Sequence, residues 1–122
     1  MRVENVGKNA FYDEARDEKG RTSYAYLAVN ICGYYQVADY TYQSVRPTGR
    51  TDYNILYVTK NRIQIIINGE KRWVEEGEMV LYRPLEPQMY FYYEEDMPEV
   101  YWIHFAGRGA EDLLTGLGFT GG

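Results

Sequence analysis

The heptapeptide "YWIHFAG", Tyr101 to Gly107, holds the single histidine of the chain, His104. An imidazole can ligate a metal, carry a proton near neutral pH, or pack and hydrogen-bond inside a sheet. In an extended segment Val100, Trp102 and His104 share one face, while Tyr101, Ile103 and Phe105 share the other. His104 is therefore expected inside a β-structure, as a polar group of a pocket or as a core histidine, and the core reading is the plainer one. Glu94, Glu95 and Asp96 form a second set, a run of adjacent carboxylates. Acid–base pairs that flank a substrate come from separate elements, so this run reads as a solvated loop tip that also keeps sheet edges apart. Cys32 is alone, which rules out a disulfide within the chain. A solitary thiol in an apolar stretch reads as a small hydrophobe.

Strands must position these residues. From Ser23 onward the texture turns apolar and aromatic, in "SYAYLAVNICGYYQ" and "DYTYQS", up to a break at "RPTGR". "DYNILYVTK" and "IQIIIN" are strands around a turn at Asn61. Asn68-Gly69 lies between two extended runs, a hairpin signal, because both residues tolerate positive φ. "KRWVEEGEMVLYRP" supplies two strands around Gly77, and "QMYFYY" and "EVYWIHF" follow on either side of the acidic turn. Strands at spacings of about 8–12 residues with turns between them are the mark of a sandwich or barrel. The only helical pattern is "GAEDLLTGLGF", where Leu113, Leu114 and Leu117 make one apolar stripe.

The totals agree with this pattern. A chain of 122 residues is one domain, and its 14 tyrosines suit pleated, half-buried surfaces. A net charge of −5 argues against this segment gripping nucleic acid, since phosphate binding needs clustered Lys and Arg. Residues 1–22 are polar and read as an arm or leader, with no apolar run of a signal peptide. No stretch approaches the length of a membrane span. These features predict a cytoplasmic protein without a membrane partner.

"NILYV" leading into a hairpin, then "EEGEMVLYRP", then the closing "YWIHFAG" occur in an order that resembles the N-terminal cupin domain of AraC-type transcription regulators. The resemblance runs from about Ala28 to Phe119. It implies a mostly β fold, a cupin double-stranded β-helix (jelly-roll) barrel over residues 23–107, with the polar N-terminal arm before it and a short C-terminal helix after it. Residues 108–122 would begin a helical dimerisation region, and a helix-turn-helix DNA-binding domain is expected to lie outside this chain.

The family's metal-binding members carry His-x-His, a Glu four residues on, and a later His. Here those positions hold Thr48, Arg50, Asn54 and Gln88, a poor donor set for a transition metal, so neither a metal nor another cofactor is expected. The resemblance instead puts an effector, often a sugar, inside the barrel. Trp102 matches the position whose indole stacks on the ligand, Arg46 an arginine pointing inward, and Tyr90 a pocket tyrosine. Strand parity adds Gln88 beside Tyr90, His104 beside Trp102, and Arg50 unless "PTG" resets the register. No catalytic residue is assigned. The implied function is a ligand-sensing, dimerising domain of an AraC-type regulator that reaches DNA only through the absent domain. Two other classes remain open: a stand-alone carbohydrate-binding module, and a metal-free cupin sugar epimerase or isomerase using a His–Tyr pair around His104.

Overall fold

The computed structural model describes residues 4–5, 25–37 and 40–119. Apart from Glu4–Asn5, the expected arm lies outside the described residues. Among the described residues, nine strands run in chain order: β1 (Glu4–Asn5), β2 (Ala28–Gln36), β3 (Tyr42–Arg46), β4 (Tyr53–Lys60), β5 (Arg62–Ile67), β6 (Glu70–Glu75), β7 (Met79–Tyr82), β8 (Gln88–Tyr92) and β9 (Glu99–Ala106). A short helix, α1 (Ala110–Gly116), follows. The strands form two antiparallel sheets, ordered β1-β2-β9-β4-β7 and β3-β8-β5-β6. The sheets face each other across one core but are not closed into a continuous barrel: a cleft of about 210 Å³ lined by Ile65, Val74, Val80 and Leu81 lies where β5 and β6 meet β7.

Alternation explains why these segments pair as they do. Along β4, Asn54, Leu56 and Val58 are buried while their neighbours are partly open, and β8 buries Gln88, Tyr90 and Tyr92 in the same rhythm. On β9 the inward set is Val100, Trp102 and His104, as parity predicted. Leu56, Val58, Ile63, Ile65, Val74, Val80 and Val100 form the apolar centre between the sheets. The turns use the residues that tolerate left-handed backbone: Asn61 at φ 60°, and Asn68 and Gly69 at 52° and 80°.

One face of the five-stranded sheet points outward, and α1 covers part of it. Ala110 and Leu114 bury against Phe105, with Ile55, Leu81, Ile103 and Phe119 around them. The stripe is narrower than expected, because Leu113 and Leu117 stay 39% and 63% exposed. Cys32 is also exposed, on the outer side of β2 rather than in the core. The helix is latched by Tyr53, whose hydroxyl donates to Glu111 Oε2 at 2.7 Å, and by Arg83 Nε, 3.1 Å from the same oxygen. Among the described residues, no helix is long and apolar enough to cross a membrane.

Two substitutions test the backbone argument. Gly49 has φ +71°, and a Cβ there would sit 2.3 Å from the Glu86 carbonyl oxygen; Gly77 has φ +88° but open space around it. Gly77→Ala should lower unfolding free energy by about 1–2 kcal/mol, the left-handed penalty alone. Gly49→Ala should cost clearly more in the same denaturant titration. A third concerns pH. Burial and the bond to Glu111 push the Tyr53 phenol from 10 up to about 12. A raised tyrosine keeps its proton in the fold, so this stability is full below pH 10 and lost as pH rises through 12. The melting-temperature gap between wild type and Tyr53→Phe should therefore narrow across that window, and a constant gap would refute the latch.

Candidate functional site

The interior changes character along its length. At one end the side chains are Tyr35, Val58, Ile63, Val100, Tyr42 and Tyr92, packed as hydrocarbon and aromatic rings. At the other end a polar row crosses the five-stranded sheet: His104 of β9 pairs in register with Asn54 of β4, which pairs with Tyr82 of β7. Opposite them, Arg46 of β3 pairs with Gln88 of β8. Asn54, Gln88, Tyr82 and His104 are all at most 4% exposed.

Three of the sequence-derived candidates meet here. Arg46 Nη1 donates to Ser44 Oγ at 2.9 Å, to the Tyr90 hydroxyl at 3.2 Å and to Gln88 Oε1 at 3.3 Å. Asn54 Nδ2 reaches the same Gln88 oxygen at 3.1 Å, a hydrogen bond from one sheet to the other. Because the guanidinium only donates, Tyr90 must accept, which leaves its own proton for a different acceptor. Trp102 and His104 lie together on β9, ring centroids 5.1 Å apart. Among the described residues, Asn54 Oδ1, Gln88 Nε2, Tyr82 Oη and Trp102 Nε1 are buried without a hydrogen-bond partner. Each such group is costly, about 1–3 kcal/mol, unless something bonds to it.

Arg50 stands in different surroundings. The chain turns at Pro47 and Thr48, with Gly49 N–H returning to the Arg46 carbonyl at 3.0 Å, and beyond it Arg50, Asp52 and Asn54 are buried at alternate positions. Thr48 is exposed. Arg50 is buried, with Nε 2.6 Å from Asp52 Oδ1 and Nη2 3.2 Å from Oδ2, a two-point pairing. Asn30 on β2 adds a bond to Asp52 Oδ2 at 2.9 Å. The ion pair ties the start of β4 to β2 and balances the Arg50 charge where it lies.

Sequence reasoning did not single out Ser44, Asp52 or Tyr82. The available signal was local: Ser44 precedes Arg46 by two residues and Asp52 follows Arg50 by two. It also passed over a row of tyrosines. Tyr82, Tyr90, Tyr92, Tyr42 and Tyr35 follow one another with centroids 4.8–6.2 Å apart. Burial holds the phenols of Tyr42, Tyr82 and Tyr92 above their ordinary range, and of these Tyr82 stands in the polar row as a neutral hydroxyl.

The positions matched to a cupin metal do not assemble a fitting donor set. Thr48 is at the surface, Arg50 is bound to Asp52, and Asn54 and Gln88 are neutral amides bonded to each other beside a guanidinium. Among the described residues, no three His, Cys, Asp or Glu side chains gather. A separate concavity of about 600 Å³ lies on the outer sheet face, bordered by Val29, Met79, Tyr101, Ile103, Leu113 and Leu117, and is almost wholly apolar.

The ion pair offers a direct check. Asp52→Ala strands the Arg50 charge in the interior and should cost about 3–5 kcal/mol in denaturant unfolding. A loss below about 1 kcal/mol, the worth of an exposed pair, would show that Arg50 is solvated.

No protein-family model matches the chain, and no curated protein matches its sequence. Solved structures do. The chain is similar to the cupin_2 domain of an XRE-family transcriptional regulator from Enterobacter cloacae, with a TM-score of 0.53 and 12% identity over 87% of this chain and 97% of that one. A predicted oxalate decarboxylase from Thermotoga maritima gives 0.56 and 10% over 84% and 78%. The EutQ protein of Clostridium difficile gives 0.47 and 22% over 65% of this chain. The chain spans 56% of that protein's length and 58% of a related Salmonella typhimurium protein. Together with the strand order, the first two likenesses show the fold: a mostly β cupin jelly roll with one short helix, its two sheets unjoined along one side.

Proposed function

We propose that this chain is the effector-sensing domain of an AraC-type transcription regulator, a metal-free cupin that takes a small polar effector between its sheets. A sugar or sugar derivative fits best. One observation carries the reading: a buried polar layer in which Asn54, Gln88, Tyr82 and Trp102 each keep a hydrogen-bonding atom without a partner. A finished hydrophobic core has no use for that arrangement, whereas a ligand with several hydroxyls satisfies it. The motifs around Arg46, Tyr90 and Trp102 support the same reading, since the resemblance assigns all three to the ligand. Arg46 and Tyr90 hold the polar end in place, and Trp102 offers both an apolar surface and an N–H. Regulation then follows from differential affinity. An effector that binds one arrangement of the interior better than another shifts the population, and paired copies pass that shift to their DNA-reading domains. No bond is made or broken in this scheme, and the chain acts in the cytoplasm.

The test is a thermal-shift screen against sugars, sugar acids and sugar phosphates. A ligand at about 100 times its Kd adds about 2.7 kcal/mol, a rise of about 10 °C for a domain of this size. Tyr90→Phe should weaken a true effector about fivefold, the value of one hydrogen bond. If no compound moves the melting temperature, or if Tyr90→Phe leaves the affinity unchanged, the sensor reading fails at this site.

A further inference from the structure

Asn54 and Gln88 carry an inference about what the site reads, and it rests on the proposal that the interior binds a ligand. Taken alone, two facing amides could sit either way round. Arg46 removes the choice. A guanidinium has no acceptor, so the Gln88 atom 3.3 Å from Arg46 Nη1 is the carbonyl oxygen. The same oxygen is 3.1 Å from the Asn54 amide, so Asn54 must present its nitrogen there. What remains is a donor, Gln88 Nε2, and an acceptor, Asn54 Oδ1, both buried and without partners among the described residues. Their side chains belong to residues 1% and 0% exposed.

We infer that Asn54 and Gln88 form a hydroxyl-reading subsite whose polarity is imposed by Arg46. A group bound there must give a proton to Asn54 Oδ1 and offer a lone pair to Gln88 Nε2. An un-ionised hydroxyl, or two on neighbouring carbons, does both. A carboxylate or phosphate dianion accepts from Gln88 but sets its own lone pairs against the Asn54 oxygen. Tyr82, beside Asn54 in register, carries a neutral hydroxyl that works in either direction. Arg50 brings no second attraction for anions, because Asp52 holds it at two points. The subsite therefore selects an un-ionised hydroxyl over an ionised oxygen at this position, against the general attraction of Arg46 for anions.

Titration calorimetry decides this on the wild-type protein, using D-xylose, D-ribose, L-arabinose, D-glucose and D-galactose, each beside its aldonate and its phosphate ester. The expected result is one aldose binding at least tenfold more tightly than both charged partners. Gln88→Glu keeps acceptors for Arg46 and Asn54 but removes the free donor, and Asn54→Leu removes the free acceptor. Each should weaken that aldose at least tenfold, with a cooperative melt confirming that the variant is folded. An aldonate or phosphate that binds as tightly as the aldose overturns the subsite and leaves the sensor reading intact. So does a loss of no more than twofold in the folded variants. If none of the fifteen compounds binds the wild type, the subsite and the sugar-sensing reading both fall.

Discussion

A guanidinium can only donate hydrogen bonds, and Arg46 brings one to the end of the space between two sheets. Much of the interior follows from that single constraint. Ser44, Tyr90 and Gln88 must all turn acceptors toward it, although each could donate. Gln88 then dictates the orientation of Asn54, which belongs to the opposite sheet. The direction of hydrogen bonding at the sheet–sheet contact is thus set by one side chain at the end of β3. The apolar end has no such rule. There Val58, Val100 and Ile63 pack by shape alone, and their burial supplies the non-directional attraction between the layers. Cohesion and specificity occupy different ends of the same space.

The strands were legible because their cues are local. Asn68-Gly69, Asn61 and the alternation of β4, β8 and β9 each act within a few residues, and the structure follows them closely. The inward face of β9 came from parity, which needs only an extended backbone. Placing Arg46, Tyr90 and Gln88 together required more, since the registers of β3 with β8 are long-range facts. A family resemblance supplied Arg46 and Tyr90, and strand parity added Gln88. Arg50 marks the limit. Its inward parity survives the turn at Pro47 and Thr48, since Arg50 is buried like Asn54, but parity says nothing of the carboxylate it meets.

That turn also hides the Arg50–Asp52 pair from sequence reasoning. Two charged residues separated by one look like a solvated surface segment, and a buried ion pair is uncommon because desolvation opposes it. Here it persists because the contact is bidentate and Asn30 adds a further hydrogen bond. Leu85, whose N–H bonds the Arg50 carbonyl at 2.7 Å, closes the segment from the other side. The helix stripe misled for the opposite reason. Three leucines at helical spacing suggest one covered face, yet α1 covers only part of the sheet's outer face and of the three only Leu114 is buried.

His104 shows how environment rather than residue type decides chemistry. An imidazole among carboxylates or other imidazoles would be a metal ligand, and one beside a mobile proton acceptor would be a base. This one lies beside the Trp102 ring and in register with Asn54, in a layer whose charges are the Arg46 guanidinium and the Arg50–Asp52 pair. Arg50 is neutralised by its own carboxylate. The amides at Asn54 and Gln88 complete the change of role. They occupy positions that the resemblance matched to metal ligands of cupins, and they offer instead one donor and one acceptor of fixed direction. The proposed subsite would discriminate by the direction of its hydrogen bonds, which is the property needed to recognise a neutral group.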